Sequence, residues 1–256
     1  MLLIRRVAPD GGIYGSARGI GIYSAIQGSL GVLIAFMIFL AFQNYLGARN
    51  ASQDEATAVL ELFRNAELFP APYHEQEHAQ LTCYARAVIG PEWKAMSNGQ
   101  SSPAVDDVIS RMEVIFAAGV RSGRVTGPAA SIWLADSNLR ADGRQRRLAE
   151  AQPFVPPLLW VMLGGGTLVI LLFLLGFADR KERALGLAMI AAAPAAILAS
   201  GLVLVYFFDH PYANTTGSIG PAAMQRTLDR MVQIQGVEGG RLRLPCDANG
   251  RPTTNA

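Results

Sequence analysis

Residues 73–78 read YHEQEH, and within them His74-Glu75-Gln76-Glu77-His78 fits the pattern H-E-x-x-H. On a helix, histidines at i and i+4 share a face and can grip one Zn²⁺, with the glutamate as general base of a metalloprotease. Catalytic zinc also needs a third protein ligand and a dry, shaped pocket. The third and last histidine is His210, remote in sequence, and no H-x-x-G-x-x-H extension follows. Glu92 offers nothing that any exposed glutamate would not. The motif follows Pro72 and sits among Glu75, Gln76, Glu77 and Gln80 rather than in an apolar span. The expectation is a solvated first helical turn, in which Glu75 and Glu77 complement the helix dipole. No metal and no cofactor is expected, and no nucleophile elbow or phosphate loop points to an enzyme.

The elements that would position any chemistry are apolar. Charged residues make up 16% of the chain, against roughly 25% in an average soluble protein. That deficit is concentrated in uncharged runs: Ile20 to Leu46, Ala151 to Ala178 and Ala184 to Phe208. Each exceeds the roughly 20 residues that cross a hydrocarbon core, so the lipid bilayer is the first partner. The first run is too long for a cleavable signal peptide. A net charge of +2, with no basic, aromatic-laced patch, argues against nucleic acid.

The chain then divides into a polar N-terminal segment (1–21), a first transmembrane helix (22–46), a helical extramembrane domain (47–150), a second transmembrane helix (156–178), a third (184–208) and a polar tail with a short helix (209–256). Within 47–150 the apolar residues recur at helical spacing: Val59, Leu62, Phe63 and Ala66; then Leu81, Tyr84, Ala85, Val88 and Ile89; then Val105, Val108, Ile109, Met112, Ile115 and Phe116. Breaks fall at Phe69 to Pro72, Ser97 to Pro103 and Gly119 to Pro128. Pro156-Pro157 suits a helix start. The tail should hold a helix over about Pro221 to Gln235 and a short strand at Arg241 to Arg243, with a disordered end. The fold class is an all-α membrane protein: three transmembrane helices, with a helical polar domain inserted between the first and the second.

Arg5, Arg6 and Arg18 fall on the same side of the membrane as the basic turn 179–183, which the positive-inside rule makes cytoplasmic. The middle domain and the tail are then extracytoplasmic, although Arg144, Arg146 and Arg147 argue the other way. Cys83 and Cys246 share that outer side. They could bridge if it is oxidising, but two free thiols are the expected state.

Several stretches resemble a bacterial membrane family of unknown function, often labelled a bestrophin-like domain. They are Gly31 to Phe36, Asp54 to Val59, Tyr84 to Val88 with Glu92-Trp93, Arg144 to Leu148, Pro156 to Trp160, and Asp209-His210-Pro211-Tyr212. Their order and spacing over about residues 28–230 carry the resemblance. The family usually has another membrane helix before the Gly31 span, and Met1 to Arg6 resembles the tail of such a helix. The label is an analogy to anion channels, so the resemblance implies a multi-pass protein of the bacterial inner membrane, a homo-oligomer, passing a small inorganic ion.

Two functions follow as expectations. In a channel, the small residues Ser24, Gly28, Gly31 and Ala35 permit close helix approach or line a pore, and the bulky stretch from Phe36 through Phe39 to Phe42 forms an apolar constriction. In a non-catalytic scaffold or sensor, the helical extramembrane domain binds a partner. A third expectation concerns a polar cluster of Glu55, Arg147, Asp209 and His210. If the helices run on unbroken, Glu55 and Arg147 stand at similar heights, roughly 13 Å above the membrane, and can pair to set the angle of the middle domain. Asp209 and His210 sit at the end of the third span, where Pro211 stops the helix and His210 or Asp209 can satisfy the freed backbone groups.

Overall fold

The computed structural model describes residues 17–176, 184–237 and 244–253. The basic turn at 179–183 and the strand expected at Arg241 to Arg243 lie outside them. The described residues are helical: α1 (Ala17–Asn65), α2 (Tyr73–Ala87), α3 (Trp93–Met96), α4 (Pro103–Arg121), α5 (Gly127–Ala149), α6 (Pro157–Gly176), α7 (Ala184–Asp209) and α8 (Ala222–Val237). A π-helical turn, Val88–Glu92, carries Pro91 and joins α2 to α3. α1 does not stop at the end of its apolar run. No Gly or Pro interrupts Ala48 to Asn65, and the helix continues through it.

The chain forms two compact units. One comprises the first part of α1 with α6 and α7. Its three helices are long and apolar enough to cross a membrane. α1 turns Leu30, Ile34 and Met37 to a core shared with Leu163 and Ile170 of α6 and Leu198 and Val205 of α7. Glycine makes this approach possible: a Cβ at Gly166 would lie 3.0 Å from Leu30 Cδ1, and one at Gly201 2.8 Å from Ile34 Cγ2. The outward faces are as apolar as the core, with Leu158 and Val161 each 70% exposed and Ile197 71%. Water would penalise such a surface, and lipid does not.

The other unit is a helical bundle of the rest of α1 with α2 to α5, α8 and the tail. Its core gathers Leu62 and Phe63 of α1, Leu81 and Tyr84 of α2, Val105, Val108 and Met112 of α4, Trp133 of α5, and Met224 and Met231 of α8. Ser102 caps α4, its Oγ accepting the Ala104 N–H at 3.3 Å, with Pro103 in the first turn.

Two expectations are corrected in this unit. The thiols are not free: Cys83 and Cys246 form a disulfide. Residues 244–253 are not disordered but fold into a turn, closed by an antiparallel bridge between Cys246 and Pro252. Asp247 Oδ1 accepts the Asn249 and Arg251 N–H groups at 2.8 and 2.9 Å. Gly250, at φ +72°, lies so close to α2 that a Cβ there would fall 2.6 Å from Ala87 N. Glycine at this position and the bridge together seat the tail on α2.

The disulfide joins positions 163 residues apart, and closing so long a loop restricts the unfolded chain by roughly 5 kcal/mol on a chain-entropy model. Cys246→Ser should lower the melting temperature of the detergent-solubilised protein and abolish a mobility difference between reducing and non-reducing gels. Identical mobility of the wild type in both gels would remove the bridge.

Candidate functional site

α1 and α5 cross where one of them has no side chain. Gly143 lies against the backbone of Glu55, and a Cβ there would fall 2.8 Å from Glu55 N. That crossing brings Glu55 beside Arg147, one turn further along α5. Arg147 Nη2 donates to Glu55 Oε1 at 3.0 Å, and Nε donates to Oε2. The same Nη2 donates to Glu92 Oε1, and the guanidinium lies over the Trp93 ring, 5.5 Å from its centroid. Glu55, Glu92 and Arg147 are each fully buried.

Further groups complete the network. Tyr84 donates its hydroxyl to Glu55 Oε1 at 2.7 Å. Arg144 grips Glu92 through Nη2 (2.7 Å) and Nε (3.1 Å), and reaches Asp106 Oδ1 at 2.7 Å. Burial alone would raise the Glu92 carboxyl, but the hydrogen bonds from Arg144 and the Arg147 and Arg144 charges outweigh it and hold the group below the usual range. Burial disfavours the Arg147 charge, yet Glu55 and Glu92 hold its pKa above the usual arginine value. Each carboxylate is met by charge-assisted donors, and the network joins side chains of α1, of α2 and the turn after it, and of α5.

Asp209 belongs to the other unit. It is buried at the end of α7, and Oδ1 accepts the N–H groups of Phe154 and Val155, both at 2.8 Å. It thereby ties the end of α7 to the approach to α6. His210 opens the next turn, its carbonyl accepting the Ala213 N–H at 3.1 Å. Tyr212 then turns into the bundle: its hydroxyl donates to the Ala48 carbonyl at 2.8 Å and lies 3.0 Å from Ser52 Oγ.

The HEQEH segment is solvated only at its start, where Glu75 and Gln76 are exposed, and its second half turns inward. His78 is buried, stacked on Phe63 with ring centroids 3.9 Å apart, and its Nε2 lies 2.8 Å from the Phe63 carbonyl. Glu77 is fully buried with neither carboxyl oxygen hydrogen-bonded. Among the described residues, no three His, Cys, Asp or Glu side chains converge as metal ligands. Glu92 is likewise no exposed glutamate but the acceptor shared by two arginines.

On α1, Ser24, Gly28, Gly31 and Ala35 face outward, and a Cβ added at Gly28 or Gly31 would meet nothing within 4 Å. Phe36 and Phe39 are both 56% exposed. None of these six packs inside the chain's own cores.

A model of the Bestrophin-like domain matches residues 22–220. The chain belongs to the bestrophin-like family. Solved structures agree at the level of fold. A bacterial bestrophin homolog from Klebsiella pneumoniae superposes with a TM-score of 0.69 at 14% identity, covering 87% of this chain and 88% of that one. A variant of that homolog with a leucine replaced by threonine gives 0.69 at 13% identity, with 86% and 88% covered. Another, with a tyrosine replaced by alanine, gives 0.70 at 13% identity, with 85% and 88% covered. No curated protein matches the sequence. In this bestrophin-like chain, sequence reasoning missed the roles of Tyr84, Glu92 and Tyr212. The signal was present, because all three stand within the stretches that carry the family resemblance.

Removing one partner of a buried ion pair strands the other charge, at a cost of about 3–5 kcal/mol. Arg147→Gln should therefore destabilise the protein by that order, and Glu55→Gln somewhat less. The double variant should lose clearly less than the two combined. Thermal melts over this cycle check it, and simple additivity would deny the coupling.

Burial pushes the Glu77 carboxyl up to about 9, so the folded chain keeps a proton that the unfolded chain releases near 4.5. The folded state is favoured most below that lower value and loses this contribution as pH rises toward the upper one. Glu77→Gln should be the more stable chain at pH 8, with a margin that shrinks by up to about 1.4 kcal/mol per pH unit as the pH falls. Melts from pH 5 to pH 8 test this. Parallel curves for the two chains would place the titration elsewhere.

Proposed function

We propose that this protein is the subunit of a homo-oligomeric channel of the bacterial inner membrane that passes a small inorganic ion. The observation that supports this most is one exposed face of α1. Val32, Phe36, Phe39, Gln43, Asn50, Gln53 and Thr57 are all exposed. They recur at the spacing that keeps one side of a helix in line. Within the apolar unit, Val32, Phe36 and Phe39 make this face apolar, as suits an apolar constriction. Ser24, Gly28, Gly31 and Ala35 run along the same side and leave room for close approach by α1 of another copy.

In this reading, residues 47–150 form the helical domain inserted between the first and second spans, and that domain lies outside the cytoplasm. The Cys83–Cys246 bridge supports the placement, since structural disulfides persist in oxidising compartments. Glu55 and Arg147 tie α1 to α5 within that domain, and Asp209 and His210 close the third span. A second reading, a non-catalytic scaffold or sensor, draws support from a groove of about 560 Å³ between α1 and α8, lined by Gln53, Thr57, Arg226, Asp229 and Arg230.

Reconstitution in liposomes separates the two readings. The wild type should pass inorganic ions, and Phe36→Ala and Phe39→Ala should raise the flux about tenfold, as expected if each ring forms part of a dewetting barrier. Absence of flux in the wild type and in both variants would leave the scaffold reading in place.

A further inference from the structure

One face of α5 carries three arginines, and one of them is met by no carboxylate among the described residues. Arg140, Arg144 and Arg147 recur at i, i+4 and i+7 and share a face. Arg147 has Glu55 and Glu92, and Arg144 has Glu92 and Asp106. Arg140 is only 7% exposed and has no carboxylate partner among the described residues. Its contact is the Tyr84 ring, 5.3 Å from its Cζ. Its Nε is sealed from solvent with no acceptor. Tyr84 cannot supply the missing charge: burial keeps its phenol protonated, and its hydroxyl is already donated to Glu55. Of the three guanidinium groups, Arg140 is the one that none of the carboxylates Glu55, Glu92 and Asp106 meets.

A cation at that depth without an anion is strongly disfavoured, and the face of one aromatic ring offsets only part of the cost. The ring offers the N–H groups of the guanidinium no acceptor oxygen, and Nε has none elsewhere. A guanidinium presents parallel donors suited to two oxygens of one planar anion.

We infer that Arg140 holds a small monovalent anion, of the size and shape of formate or nitrate, as the partner its own guanidinium lacks. The one guanidinium without a carboxylate partner matches a monovalent ligand. The inference stands apart from ion conduction, because the site lies in the bundle core and not on the exposed face of α1.

The test uses the full chain in detergent, with melting temperatures read at constant ionic strength while sodium gluconate is replaced by sodium formate, nitrate or chloride. Formate and nitrate should raise the melting temperature saturably, and chloride, which offers one acceptor centre, should do so at higher concentration. Arg140→Lys keeps the charge but loses the fork, and should shift the formate midpoint upward by about tenfold, the equivalent of one charge-assisted hydrogen bond. Arg140→Gln should remove the response. A wild-type melting temperature that does not respond to these anions would overturn the inference, and this arm needs no variant to fold. So would a drift linear in concentration, or a response unchanged in Arg140→Lys.

Discussion

A guanidinium with no access to water must be surrounded by acceptors, and Arg147 shows what that demands of the chain around it. Its carboxylates come from α1 and from the π-helical turn after α2. They meet it only because Gly143 lets α1 and α5 approach to backbone contact. Leaving either carboxylate unpaired at zero exposure would cost more than most single contacts return. The bundle therefore has little freedom to slide one helix past another. Trp93 and Met96 enclose the same guanidinium, so the polar network and the apolar core are held by one arrangement of helices.

The two units answer to different solvents. In the apolar unit, side chains point outward that no aqueous surface would carry in such number, and glycine rather than burial contrast brings the helices together. In the bundle, ordinary amphipathic helices bury one face, and the charges that remain inside are paired or hydrogen-bonded with few exceptions. Glu77 and Arg140 are the charged exceptions among the described residues. A neutral carboxyl can stay in an apolar core without a counter-ion, whereas a guanidinium cannot shed its proton and needs an anion.

The tail illustrates how much a covalent link can add to weak local order. Residues 244–253 form no helix, and among the described residues they offer one isolated bridge and a turn built on Asp247. Such a segment would gain little from its own hydrogen bonds. The disulfide holds it on α2, and Gly250 lets the backbone come close enough to stay there.

The apolar runs, the helical spacing of the bundle and the breaks at proline and glycine were legible in the sequence, because hydrophobic periodicity and helix length follow from local composition. So was the pairing of Glu55 with Arg147 as an expectation, since unbroken helices have a fixed rise per residue. The sequence alone misjudged Glu77, His78 and Glu92 as solvated, because burial of a charged residue depends on which helices pack over it and leaves no mark in local pattern. The same holds for the two cysteines: 163 residues of separation carry no information about distance until the chain has folded. Tertiary structure decided which charges went inside, which found partners, and that Arg140 was left without a carboxylate among the described residues.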